Sequence, residues 1–220
     1  MRIYLNTTKN STIVPYNYQS FLSGTLHKWL GINEMHDDTS LYSFSWLTKA
    51  KSNENGLNFP EGSQWFISAF NPDLIRRIIQ GIQTDSSMFA GIEVNEVTIA
   101  EEPYFKSGHV FKVANPVFIK RQVGERKKFY YFNDAESATL LTETLAFKLE
   151  KAGLDSENVL VEFTTENTSI VPKTKGFTHK NIFNKGSICP VKIHGTPEQL
   201  AFAWNVGVGS STGIGFGALI

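Results

Sequence analysis

Within the first hundred residues the apolar positions twice switch from a period of two to a spacing of three and four and back, which limits the fold more than any single residue does. Arg2 to Thr8 alternates as a strand. Pro15 then precedes a helical stretch, Asn17 to Leu30, whose Tyr18, Phe21, Leu22, Leu26, Trp29 and Leu30 make one apolar stripe. Asn17 stands where an N-cap belongs and Gly31 where a helix stops. Leu41 to Leu47 and Gln64 to Phe70 read as strands. Asp73 to Thr84 is a second helix through Leu74, Ile78, Ile79 and Ile82, and Glu93 to Ala100 alternates again. The order is β-α-β-β-α-β, a split βαβ unit of about 100 residues.

The second half repeats it. Strand signals at Val110 to Ile119 are followed by a helix from Asp134 to Ala152, a strand at Val159 to Thr165, and its hairpin partner at Ile188 to Ile193. Thr196 and Pro197 open a short helix as N-cap and first helical residue. A glycine-rich loop and a last strand, Gly215 to Ile220, close the chain. The expected fold is α+β: two tandem ferredoxin-like (RRM-like) βαββαβ domains, 1–104 and 108–220, joined near Pro103 to Gly108, with a C-terminal glycine-rich loop.

With 41% apolar and 13% aromatic residues, the chain of 220 has the material for a core and does not resemble a disordered segment. A single cysteine, Cys189, excludes an internal disulfide framework and a multi-cysteine zinc site. No apolar run approaches the roughly 18 residues of a membrane span. The strand-like start lacks a secretory apolar region, so a soluble cytoplasmic protein is expected.

Formal charge sums to zero, but the distribution is uneven. Between Glu54 and Tyr104 the acids Glu54, Glu61, Asp73, Asp85, Glu93, Glu96, Glu101 and Glu102 face only Arg76 and Arg77. Between Asn167 and Pro197 there is no acid, while Lys173, Lys175, Lys180, Lys185 and Lys192 accompany His179 and His194. A second basic cluster is Lys120-Arg121 with Arg126-Lys127-Lys128. Such asymmetry suits a polyanion partner; it equally suits a solvated hairpin tip guarded by lysines.

At the C-terminus, Gly207, Gly209, Gly213, Gly215 and Gly217 fall within eleven residues. Such a segment allows positive φ and close approach of backbone to a phosphate, or is a turn demanded by packing alone. It is neither a P-loop, since no Gly-Lys-Ser/Thr follows, nor a dinucleotide fingerprint, since no long βαβ unit follows. The spacing, Gly207-x-Gly209, five residues, Gly215-x-Gly217, with Val208 and Phe216 between the glycines, resembles the C-terminal signature of the CRISPR repeat-processing endoribonucleases, which are RAMP-type proteins. Val14-Pro15-Tyr16-Asn17-Tyr18-Gln19 and Phe21-Leu22-Ser23-Gly24 resemble that family's strand-to-first-helix segment, followed by a histidine before the second strand.

The resemblance implies metal-independent cleavage of a precursor transcript within its repeat, with no cofactor. The 2′-hydroxyl beside the scissile phosphate attacks, leaving a 2′,3′-cyclic phosphate and a 5′-hydroxyl. It implies that the glycine-rich loop (Gly207, Gly209, Ser210, Ser211, Gly215, Gly217) lies near the RNA backbone. A basic hairpin at Thr165 to Ser187, carrying Lys173, Lys175, Lys180 and Lys185, would grip the repeat, with Lys120, Arg121, Lys127 and Lys128 contacting phosphates. Phe177 and Phe183 fit either base stacking or hairpin core, with core favoured.

Since the substrate brings its own nucleophile, the protein must align the 2′-hydroxyl, move protons and stabilise charge on the phosphorus. Histidine suits the proton work. The resemblance puts the catalytic histidine in the connection after the first helix, so His36 is the first choice, with Asp37-Asp38 placed to orient it. His27, on the helix face of Ser20 and Gly24, is the second. Family members that carry a lysine shortly after the histidine differ from this chain, which has Thr39-Ser40; Lys28, Lys49, Lys51 or Tyr42 are candidates for that role. His109, His179 and His194 read as structural or RNA-contacting. Repeat RNA is the expected partner, with CRISPR effector subunits a further one, and the protein is read as a monomer or homodimer. A non-catalytic RAMP subunit that holds RNA is the alternative, and a generic nucleotide-binding enzyme a weaker third.

Overall fold

In the computed structural model, which describes residues 1–31, 40–166, 168–179 and 182–220, the first half follows the expected order. It runs β1 (Arg2–Thr7), α1 (Gln19–Leu30), β2 (Tyr42–Phe44), a hairpin of β3 (Lys51–Asn53) and β4 (Gly56–Asn58), β5 (Gln64–Ala69), α2 (Pro72–Thr84) and β6 (Val94–Ala100). The sheet order is β2-β5-β1-β6, every pair antiparallel. Ile3 and Leu5 of β1, Trp65 and Ile67 of β5, Leu22 and Leu26 of α1, and Ile75 and Ile78 of α2 are fully buried together. Each contributes about 1.5–3 kcal/mol by leaving water.

Helix α1 starts one residue later than expected. Tyr18, not Asn17, holds the N-cap position, without a side-chain cap bond, while Gly31 ends the helix at φ 69°. Phe21 leaves the predicted stripe, 46% exposed, and leans on Phe89 with ring centroids 5.6 Å apart.

The second half runs β7 (His109–Phe111), a hairpin of β8 (Ile119–Val123) and β9 (Arg126–Tyr130), α3 (Ser137–Lys151), β10 (Leu160–Phe163), a hairpin of β11 (Lys173–His179) and β12 (Ile182–Ile188), β13 (Val191–His194) and α4 (Pro197–Val206). Strands β10-β13-β7 form its antiparallel sheet. The expected strand from Val110 to Ile119 is broken in two, because Pro116 has no N–H to give a ladder. The predicted terminal strand is only a bridged segment: Lys112 and Ile220 exchange N–H···O bonds of 3.1 and 2.8 Å, and Ala114 N–H donates to Ala218 O. Helix α3 begins at Ser137 because Asp134 is used in the preceding turn, accepting from Tyr131 N–H at 2.7 Å. Helix α4 opens on the predicted Thr196 cap, with Gln199 completing a reciprocal capping box.

Arg2 ties the halves together. It is fully buried; its guanidinium donates to Ser68 Oγ at 2.5 Å and to the carbonyls of Trp204 and Leu219 at 2.6 and 2.9 Å, and lies 3.5 Å from the Trp204 ring centroid. Burial lowers its pKa to about 10. The end of the chain is thereby fixed against β1, which positions the glycine-rich loop. No helix among the described residues is long and apolar enough to cross a membrane.

Candidate functional site

The loop after α4 is closed by its own glycines. Gly207 has φ 71°, and an added Cβ would lie 2.6 Å from the Gly217 carbonyl oxygen; Gly217 has φ 64°, and its Cβ would meet the Val208 carbonyl. Val208 N–H donates to Gly217 O at 2.9 Å, so the two Gly-x-Gly pairs lie against each other. Gly209 abuts the Phe118 carbonyl and Gly215 the Phe44 ring. Packing therefore accounts for glycine at all four positions, and their missing side chains face protein. The amides of Ser210 and Gly217 are taken by Phe118 O and Pro116 O. Ser210, Ser211 and Ile214 are the half-buried residues of the loop, the last within a 3-10 turn at Thr212–Ile214.

This turn rests on the other half of the molecule. Tyr42 is buried and its hydroxyl donates to Gly213 O at 3.2 Å; burial raises its pKa, and a bond with Ser40 partly offsets that. Gly213 packs against Ser40, and Trp46 Nε1 donates to Gly215 O at 2.8 Å. The turn also touches α1, which carries the half-buried His27. The segment that carries His36 leaves from Gly31 at the end of α1 and returns at Ser40; His36 itself lies outside the described residues, as does Lys180.

The candidate cations separate into two groups. Lys120 Nζ donates to Ser211 Oγ at 3.3 Å, and burial, then Lys127, lowers its pKa. Lys127 and Lys128 are exposed on β9, and Lys173, Lys175 and Lys185 on the β11–β12 hairpin. Lys173 and Lys175 share a face by strand alternation, whereas Lys185 pairs with Gly176 and so lies on the other. Two candidates are engaged elsewhere. Arg121 fastens its hairpin to α3 through Leu140 O at 2.7 Å, Thr144 Oγ1 at 3.0 Å and Glu143 at 3.3 Å. Lys28 is committed to Asp85 at 2.9 Å and to Ser87, past the end of α2. Phe177 is half-buried and stacked on two buried rings, its centroid 4.5 Å from Phe216 and 4.8 Å from Phe118.

Lys148 was missed. It is 4% exposed on α3 and donates to Thr212 Oγ1 at 3.0 Å and to Val206 O and Gly207 O at 3.4 Å, holding the loop from beneath. Burial lowers its pKa to about 7. The signal in the sequence was a lysine in the apolar stripe of Leu141, Leu145 and Leu149. Among the described residues no group of three His, Cys, Asp or Glu side chains is gathered to hold a metal ion.

Known proteins share this fold. A CRISPR-associated endoribonuclease, Cas6 1 of Methanocaldococcus jannaschii, is 22% identical to this chain, covering all of it and 92% of the relative. The solved structure of a Cas6-related protein from Pyrococcus furiosus superposes with a TM-score of 0.85 at 20% identity, over 100% of this chain and 97% of that one. A structure described as an RAMP protein binding different RNA substrates gives 0.85 at 19% identity, over 100% and 99%. These likenesses agree with the tandem ferredoxin-like fold. The family profile for the C-terminal part of CRISPR-associated protein Cas6 matches residues 100–219, a stretch that takes in both basic hairpins, Lys148 and the whole glycine-rich loop. With more than half the chain matched, and matched where the loop is built, the chain belongs to the Cas6 family of CRISPR-associated proteins.

Proposed function

We propose that this protein is a cytoplasmic, metal-independent endoribonuclease that cuts CRISPR precursor transcripts within the repeat, working through two domains, 1–104 and 108–220. The observation that carries the reading is the meeting of α1 and Ser40, where the His36 segment returns, with the Thr212–Ile214 turn of the glycine-rich loop, next to Lys120 on Ser211. The activity named for the Methanocaldococcus relative supports it. In this reading the RNA backbone crosses the loop at Ser210 and Ser211. His36 and His27 take the proton from the 2′-hydroxyl and supply one to the leaving 5′-oxygen. Lys120 and the serine hydroxyls stabilise charge on the five-coordinate phosphorus. Tyr42 holds the loop in position from below. The products are a 2′,3′-cyclic phosphate and a 5′-hydroxyl. Lys127, Lys128, Lys173, Lys175 and Lys185 fix the register of the repeat through its phosphates.

Single-turnover cleavage tests this. His36→Ala is expected to slow cutting by about 10²–10⁴-fold with RNA affinity nearly intact, and His27→Ala to slow it less. Unchanged rates in both variants would remove the site assignment. The second reading, an RNA-holding RAMP subunit of an effector complex, is favoured by one feature: no lysine follows His36 up to Ser40, and Lys28 is held by Asp85. Tight binding of repeat RNA with no cutting would select it.

A further inference from the structure

A cavity of about 600 Å³ opens beside the loop, between the approach to α1 and the β11–β12 hairpin, and the cleavage chemistry does not use it. Its walls include Tyr16, Asn17, Gln19, Trp46, Lys175 and Phe177, and among the described residues no acidic side chain lines it. The size is that of a small-molecule site. Tyr16 is 55% exposed, yet its hydroxyl is fixed on Asn53 O at 2.5 Å. Trp46 is fixed by its Gly215 bond, with the Phe177 ring set edge-on to it at 6.5 Å. Lys175 Nζ lies 4.8 Å from the Trp46 ring centroid, and burial, then Lys173, lowers its pKa. Gln19 is 3% exposed, and its side-chain oxygen has no hydrogen-bond partner among the described residues.

Resting on the reading of the protein as an RNA nuclease, we infer that this cavity is a subsite for one unstacked nucleobase of the repeat. The chemistry is that of a single-stranded RNA site. A fixed indole gives a stacking face, and the Asn17 and Gln19 amides give hydrogen bonds to a base edge, one acceptor being otherwise unused. Lysines 173 and 175 meet the attached phosphates. In the free protein Lys175 covers the indole; an entering base takes that place and the ammonium moves to the phosphate. His27 lies eight residues further along α1, about 12 Å at 1.5 Å per residue. The base held here is therefore a neighbour of the scissile nucleotide rather than that nucleotide.

The probe is a repeat RNA from a CRISPR array of the source genome, made uncuttable by a 2′-deoxy substitution and scanned with single abasic positions. The wild-type protein is expected to lose about tenfold in affinity at one or two unpaired positions. In Trp46→Leu with Lys175→Gln, a pair that removes the aromatic face and the ammonium over it, the same abasic positions should cost little further. Tyr16→Ala, at an exposed site, should blunt the same positions and serves if the pair folds poorly. A flat scan with intact RNA still cut, or unchanged sensitivity in the variants, overturns the subsite alone. Failure of the wild-type protein to bind any repeat RNA overturns the subsite and the nuclease reading together.

Discussion

Lys148→Met should remove a pH-dependent contribution to stability that the loop's anchor imposes on the fold. The ammonium is buried in α3 with only Thr212 Oγ1 and the carbonyls of Val206 and Gly207 as hydrogen-bond partners among the described residues, and no carboxylate among them. Its pKa falls from 10.5 to about 7. The folded state thus releases this proton first. From pH 7 to 10.5 the unfolded chain binds one more proton than the native one, and stability rises with pH at about 1.4 kcal/mol per unit. Below pH 7 both states are charged and the native state carries the full burial penalty. Between pH 7 and 9 the gain is about 2 kcal/mol, a little under half of a limiting value near 5 kcal/mol. Methionine keeps the stem but cannot titrate; it also leaves three acceptors without this donor, at about 1–3 kcal/mol each if they stay dry. Urea unfolding of both proteins at pH 6, 7, 8 and 9 reads the difference. Wild type should gain about 2 kcal/mol on the variant from pH 7 to 9, and parallel pH dependences would refute the argument.

Arg121→Ala should cost about 2 kcal/mol of stability through its lost bonds to α3, with little change in RNA binding. Lys127→Ala should leave stability alone and lower the salt slope of RNA binding by roughly one; titrations at several salt concentrations separate them. Gly217→Ala, at φ 64° and against the Val208 carbonyl, should destabilise by more than about 2 kcal/mol, read by thermal unfolding. Gly24→Ala meets nothing within 4 Å and should stabilise α1 by about 0.5–1 kcal/mol. A fall in RNA affinity alongside that gain would mark the helix face by His27 as a path for the RNA backbone, and unchanged affinity would exclude it.

The order of strands and helices was legible because period two and period 3.6 are both written by burial. The stripe through Leu22 and Leu26 and the alternation through Ile3 and Leu5 each face one core. Short polar hairpins were not: Lys51–Asn53 is exposed throughout and Gly56–Asn58 offers Leu57 as its one large apolar side chain, so no apolar pattern announces them. The β8–β9 hairpin was visible only as a basic cluster. Charge located the cations but not their partners. Arg121 and Lys28 look as free in sequence as Lys127 does, and only the approach of α3 and of the Asp85 turn decides what they do. The glycines leave phosphate approach and tight packing equally open in sequence; the structure shows what they pack against, since their neighbours come from residues as distant as Phe44 and Phe118. Lys148 was hidden for the same reason: a lysine inside an apolar stripe becomes an anchor only when the loop folds over it.

The central claim is tested most directly by cutting a repeat RNA in excess EDTA, beside the same RNA with a 2′-deoxy residue at the scissile position. The account predicts cleavage of the all-ribose RNA alone, leaving a 2′,3′-cyclic phosphate. Cleavage of the deoxy substrate, or activity that returns only when a divalent metal is restored, would contradict it.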